Sequence, residues 1–186
     1  MTRSTRYSLV RTFSTLVVSL MVTACVTTTS MVKAPKGYSE LCNRQPDLVA
    51  CTKVNQKQIT QQRSYQDLIQ INNSVNESVT YLADDIVDTT RDYWEVATVQ
   101  GDCEDIALAK MQKLVEFGWP QQDLRLAVTD THAVLLVQLD GEDYILNNAT
   151  PFVWPASMLK LKLRRMQSEG GSQTWIEWSN RSRQYN

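Results

Sequence analysis

Apolar positions recur at helical spacing over two stretches of the chain, alternate over a third and run nearly unbroken over a fourth. From Lys57 to about Asp84, Tyr65, Leu68, Ile69 and Asn72 fall on one stripe and Val75, Val79 and Leu82 on the next, the period of an amphipathic helix. Asn72-Asn73-Ser74 interrupts the pattern, so two successive helices are expected there. The strongest helical signal runs from Cys103 to Phe117. Ala107, Met111, Leu114 and Val115 form its apolar face, and Glu104 and Asp105 occupy the first turn, where acids suit the helix dipole. Gly118 and Pro120 supply its stop. Leu124 to Asp130 alternates and predicts a strand, and Thr131 to Leu139 predicts a second, more apolar one. Asp140-Gly141 is a tight-turn dipeptide, so Glu142 to Leu146 returns as the other arm of a hairpin.

The remaining stretches are less regular. Gly37 to Thr52 reads as an irregular segment, and Asp84 to Gln100 as mixed, with Tyr93 and Trp94 as packing anchors. Past Thr150 the pattern weakens; Trp154, Trp175 and Trp178 indicate more strand or packing, and Ser168 to Ser172 a loop. No internal repeat is present. Helices, then a Cys-bearing helix, then an antiparallel sheet make an α+β layout.

The first segment lies outside this pattern. Arg3, Arg6 and Arg11 precede an apolar run, Phe13 to Val22, broken by Ser14, Thr15 and Ser19 and too short for a confident membrane span. It ends in Val22-Thr23-Ala24-Cys25, which resembles a bacterial lipobox. Residues 1–24 are thus expected to be a lipoprotein signal peptide, with Cys25 acylated as the mature N-terminus. The bland alternative is an ordinary signal peptide cut near Ala24. Each buried methylene of an acyl group contributes roughly 0.8 kcal/mol of membrane affinity. Val26 is not acidic, which favours the outer membrane over the inner, with the protein facing the periplasm. Residues 25–36 read as a flexible tether, Thr- and Ser-rich from Val26, and 37–186 as one domain.

Charge and cysteine content narrow the picture further. Residues 1–24 hold three arginines and no acids, so the rest of the chain carries 16 basic and 20 acidic side chains, a net charge of −4. No basic patch stands out, and nucleic acid is not an expected partner. Cys42 and Cys51 lie nine residues apart in a loop-like stretch; an oxidising envelope would pair them as a disulfide. Zinc is the rival reading, a weak one for a chain with a single His and no Cys-x-x-Cys. Cys103 is left unpaired.

Cys103 and the single histidine, His132, are the candidate chemistry. A helix start favours thiolate through unpaired amides and the dipole, and the backbone N–H of Cys103 is placed to donate to an oxyanion. Asp102 and Glu104 oppose thiolate formation. With Asp105 they put three acids around one thiol, a site that expects positive charge from an imidazolium or a bound cation. The hairpin carries residues 147–149 back opposite His132, so Asn147 or Asn148 can fix the imidazole tautomer. Singly, Cys103 reads equally as a small buried hydrophobe and His132 as a structural histidine; together they form a Cys–His nucleophile pair.

Gly101-Asp102-Cys103-Glu104-Asp105-Ile106-Ala107, Lys110, Leu114 and Gly118, then His132-Ala133-Val134-Leu135, Gly141 and Leu146-Asn147-Asn148, resemble the bacterial transglutaminase-like cysteine peptidases of the LapG type. The likeness extends to Cys42, Pro46, Cys51, Asn72, Asn76, Tyr81, Asp92 and Trp94, and spans most of residues 38–180. It implies a papain-like, transglutaminase-type fold. It also implies a periplasmic cysteine endopeptidase that trims the N-terminal region of large surface adhesins, often at a di-alanine site, and so controls biofilm attachment. Calcium is the implied cofactor, held by Asp102 and Glu104. Cys103 would be nucleophile, His132 base and Asn147 orienter. An inner-membrane cyclic-di-GMP receptor is an implied partner. Three departures stand out: Asn147 replaces the family's usual Asp, the stretch from Trp94 to Gly101 is shorter and lacks a Pro, and the lipobox adds an anchor. Two alternatives stay open, a catalytically weak calcium-binding module and an acyl-transfer or cross-linking enzyme on the same scaffold.

Overall fold

A computed structural model of the chain describes residues 30–53, 63–84, 92–168 and 173–178. Its strands are β1 (Met31–Val32), β2 (Thr80–Tyr81), β3 (Gln100–Gly101), β4 (Leu124–Val128), β5 (Ala133–Leu139), β6 (Glu142–Leu146), β7 (Trp154–Pro155), β8 (Arg165–Gln167) and β9 (Trp175–Glu177). Its α-helices are α1 (Lys36–Arg44), α2 (Tyr65–Ser78) and α3 (Cys103–Glu116). All but β2 and β3 join one antiparallel sheet in the order β1-β9-β8-β4-β5-β6-β7. The architecture is α+β, as the element order predicts.

The centre of the sheet is apolar on both faces. Leu126, Val128, Ala133, Leu135 and Val137 pack with Ala107, Met111 and Leu114 of α3 in the main core. Ala127, Val134, Leu136 and Ile145 face the other way, onto Leu163 and Met166. That double burial explains the near-continuous apolar run of β5, since a strand covered on both sides loses its alternation. Leu126, Leu135 and Leu136 are fully buried, each worth roughly 1.5–3 kcal/mol by transfer from water.

Local chemistry sets the element ends. Asp140 (φ 50°) and Gly141 (φ 83°) take the left-handed backbone of a two-residue hairpin turn, and β5 and β6 pair from Leu139↔Glu142 to Leu135↔Leu146. Helix α3 closes on Gly118 (φ 100°), with Gly118 N–H donating to Val115 and Trp119 N–H to Leu114. Those two bonds satisfy carbonyls that the helix end would otherwise orphan. At the start of α2, Ser64 and Asp67 cap each other reciprocally.

Four expectations are corrected. Helix α2 runs unbroken through Asn72-Asn73-Ser74, because Asn72 is fully buried and spends its amide on tertiary partners rather than on breaking the helix. The stretch 37–52 is not irregular: it holds most of α1 and the 3-10 turn Val49–Cys51, clipped by the Cys42–Cys51 disulfide that the spacing predicts. The stretch 25–36 is not all tether, since Met31 and Val32 pair with Ile176 and Trp175. Of the two expected anchors in 84–100, Trp94 is buried, whereas Tyr93 is exposed under the Arg44 guanidinium. The signal-peptide stretch, Cys25 and the first part of the expected helix from Lys57 lie outside the described residues.

Candidate active site

The parallel pair β2–β3, with Tyr81 opposite Gly101, ties the end of α2 to the start of α3 and delivers Cys103 to the edge of a cleft. Gly101 is required there. A Cβ on it would lie 2.7 Å from the Asp105 Cβ and 3.1 Å from that of Ala97. Asp105 turns back beneath the helix start, its Oδ1 accepting from Glu95 N–H at 2.7 Å and its carbonyl from Ala97 N–H at 3.2 Å. Burial, only partly offset by the Glu95 N–H, raises the Asp105 carboxyl to about 7. One acidic side chain thus locks the 95–101 wall to the Cys helix.

The cleft has a volume of about 570 Å³, and Trp94, Asp102, Cys103, Glu104, His132 and Ala133 are among its lining. Cys103 is half-buried at the first position of α3. Its Sγ accepts from Ala133 N–H at 3.3 Å and donates to Glu104 Oε2 at 3.0 Å. Among the described residues, the recorded thiol hydrogen bonds go to those two groups rather than to the imidazole. The helix start favours thiolate and the flanking acids oppose it. Burial pushes the thiol up, against the opposing pull of its bonds to Glu104 and Ala133, and the Asp102 charge adds to the rise, as the acid-rich motif implies.

The hairpin register puts His132 and Asn147 in reach, His132 Nε2 lying 2.9 Å from Asn147 Oδ1. The tautomer follows from a third group. Asn147 Oδ1 also accepts from Ala149 N–H at 2.9 Å, which marks it as the amide oxygen, so His132 Nε2 must carry the hydrogen of this contact. In the neutral ring that leaves Nδ1 as the basic nitrogen. Asn148, the other candidate, has no such contact recorded, and its Oδ1 is buried without a partner among the described residues.

The acids beside the thiol fit a hard cation. Single ligand atoms of Asp102, Cys103 and Glu104 lie within 4.8 Å of one another. Asp102 Oδ1 is buried with no hydrogen-bond partner among the described residues. Burial raises both carboxyls first. Asp84 and Asp92 add to the rise at Asp102, and the Cys103 and Asp102 charges to that at Glu104. Two buried carboxylates that resist ionisation, one with an orphaned oxygen, form an oxygen donor set of the kind a divalent cation takes. The thiol between them is too soft to be its preferred ligand.

Residues 28–183 match the family model of bacterial transglutaminase-like cysteine proteinases. The chain belongs to this family. A solved structure of Legionella pneumophila LapG is 25% identical over 63% of this chain and 71% of its own, with a TM-score of 0.52. The calcium-bound form of that protein shares the fold at 22% identity over 80% of this chain and 86% of its own, again with a TM-score of 0.52. No curated protein sequence matches the chain. The α+β fold is therefore the transglutaminase-like fold of these peptidases, as the resemblance implies.

Cys103, His132, Asn147, Asp102 and Glu104, all named from the sequence, thus meet in or beside one cleft. Three contributors had no local signal: the Ala133 N–H on the thiol, the brace made by Asp105, and a buried hydrogen-bond set around Lys110 behind the site. Lys110, Asn72 and Asn76 enter the sequence reading only as positions of the family likeness, with no role assigned; Lys110 lies seven residues, two helical turns, beyond Cys103 on the buried face of α3.

Proposed function

We propose that the protein is a calcium-dependent cysteine endopeptidase of the cell envelope that cleaves the N-terminal region of a large surface adhesin and so controls biofilm attachment. One observation carries the chemistry: a half-buried thiol and the chain's single imidazole line one cleft, with the ring oriented by an amide oxygen. Cys103 is the nucleophile. His132 takes the thiol proton at Nδ1 as sulfur adds to the peptide carbonyl, then gives it to the departing amine. Water, deprotonated by the same ring, releases the acyl group from sulfur. Asn147 holds the ring in the required tautomer. Calcium, held by Asp102 and Glu104, supplies the positive charge that lets both carboxylates ionise beside the thiol.

Cys25 carries a lipid that anchors the protein in the envelope, with the outer membrane favoured, and an inner-membrane cyclic-di-GMP receptor is a candidate regulator. The test is cleavage of the N-terminal region of an adhesin from the same cell. Shortened chains with the parent protein and none with Cys103→Ala support the reading; equal cleavage by both sinks it. A second reading, a calcium-binding module without catalysis, draws on Asn147 in place of the family's Asp and on the raised thiol. It requires calcium binding with no cleavage of any adhesin.

A further inference from the structure

Lys110 is fully buried, and among the described residues its recorded hydrogen bond goes to an amide, Asn72 Oδ1 at 2.8 Å, rather than to a carboxylate. A lysine so placed costs desolvation that an apolar side chain would avoid, so its retention calls for a reason other than packing. Its connections supply one. Asn72 is also fully buried and donates through Nδ2 to the Thr150 carbonyl at 3.1 Å. One turn on, Asn76 Nδ2 donates to the same carbonyl at 3.2 Å and to the Asn147 carbonyl at 3.0 Å. At the other end of the helix, Tyr65 OH donates to the Val153 carbonyl at 2.6 Å. The 147–153 loop is therefore pinned to one stripe of α2, and that stripe is pinned to α3, the helix that starts at Cys103.

We propose that Lys110, Asn72 and Asn76 form a buried brace that sets the position of Asn147, and through it the imidazole of His132, relative to Cys103. These are positioning residues; none of them reaches the cleft. Cys103 and the His132–Asn147 pair stand on different elements, and the brace ties the two together. Asn147 contacts the ring through Oδ1 while Asn76 holds its backbone carbonyl, so a loop released from α2 takes the ring's acceptor with it. Burial lowers the Lys110 ammonium to about 7, yet an amine in either protonation state keeps an N–H for Asn72. The catalytic meaning of the brace rests on the peptidase reading, but its geometry does not.

The single histidine makes the test clean, because every histidine ring signal of the chain is that of His132. The full chain, with Cys25→Ser to prevent lipidation, is labelled with 15N-histidine, and exchange of the ring Nε2–H with water is measured without substrate. In the parent the proton is protected by Asn147. In Lys110→Met its exchange should accelerate by roughly tenfold or more, since loosening one local contact opens that site alone. A double variant, Lys110→Met with Asn72→Leu, removes both polar partners and so leaves no orphan between them. It should regain global stability while the fast exchange persists. Asn76→Ala, at a half-buried position, gives the same readout if the buried variants do not fold. Parent-like exchange in every folded variant overturns the proposal, as does acceleration that merely tracks the loss of global stability. If the exchange responds while no adhesin is cleaved, the brace stands and the peptidase reading alone fails.

Discussion

Replacing Lys110 by Met should remove a specific slope from the dependence of stability on pH. In the folded chain burial lowers Lys110 from 10.5 to about 7, whereas the unfolded chain keeps the ordinary value. Below pH 7 both states carry the proton, and the group contributes no pH dependence. Above pH 10.5 neither does. Between these limits the unfolded chain binds a proton that the folded chain does not, so stability rises with pH. The slope is about 1.4 kcal/mol per pH unit, or roughly 2–3 kcal/mol between pH 7 and pH 9. Met removes the titration and leaves Asn72 Oδ1 without its donor, a pH-independent loss of about 1–3 kcal/mol. Urea unfolding of parent and variant at pH 7, 8 and 9, with the disulfide intact, separates the two effects: the slope of the difference measures the lysine, and the value reached when that slope is extrapolated to pH 10.5, where neither state holds the proton, measures the lost hydrogen bond. Other groups titrate in both proteins and cancel. A difference that stays constant within about 0.5 kcal/mol across that range would refute the reasoning, and would mean that Lys110 is solvated in the native state.

Gly101→Ala should cost about 1–3 kcal/mol of stability and slow alkylation of Cys103, because the new Cβ meets the Asp105 Cβ at 2.7 Å and must displace the turn that carries the thiol; thermal melting and a thiol-reaction rate check both. Reducing the Cys42–Cys51 disulfide, which closes a loop with a sequence separation of 9, should lower stability by about 2–3 kcal/mol, read as a shift in the urea midpoint between Cys42→Ser/Cys51→Ser and parent. Asn147→Asp keeps an acceptor 2.9 Å from His132 Nε2 and adds a charge that stabilises the imidazolium. It should raise the alkylation rate of Cys103 at pH 7 by roughly threefold to tenfold, and an unchanged rate would mean that the ring does not couple to the thiol.

The parts of this molecule that were legible in the sequence are those set by short-range chemistry. The Cys103 helix, its glycine stop and the Asp-Gly hairpin are each specified within a few residues, and the hairpin register alone brings Asn147 to His132. Signals that depend on partners far along the chain misled. Asn72-Asn73-Ser74 carries helix-breaking chemistry, yet Asn72 is satisfied by Lys110 and Thr150, 38 and 78 residues away. Met31 and Val32 have no strand pattern of their own and take strand form from β9. The balance at the thiol was not legible for a similar reason, since the helix start and the flanking acids pull in opposite directions. Helix position and flanking charge are local and readable, whereas the burial that leads the rise at the sulfur is set by the fold around it.

The most direct measurement of the central claim is the alkylation rate of Cys103 by iodoacetamide at neutral pH, with calcium and with chelator, in the parent and in His132→Ala. Cys42 and Cys51 are disulfide-bonded, so with Cys25→Ser the reagent reports Cys103 alone. The expected result is a slow thiol under chelator, a fast one with calcium, and loss of the fast reaction in His132→Ala. A rate that ignores both calcium and the imidazole would contradict a working Cys–His pair at this site.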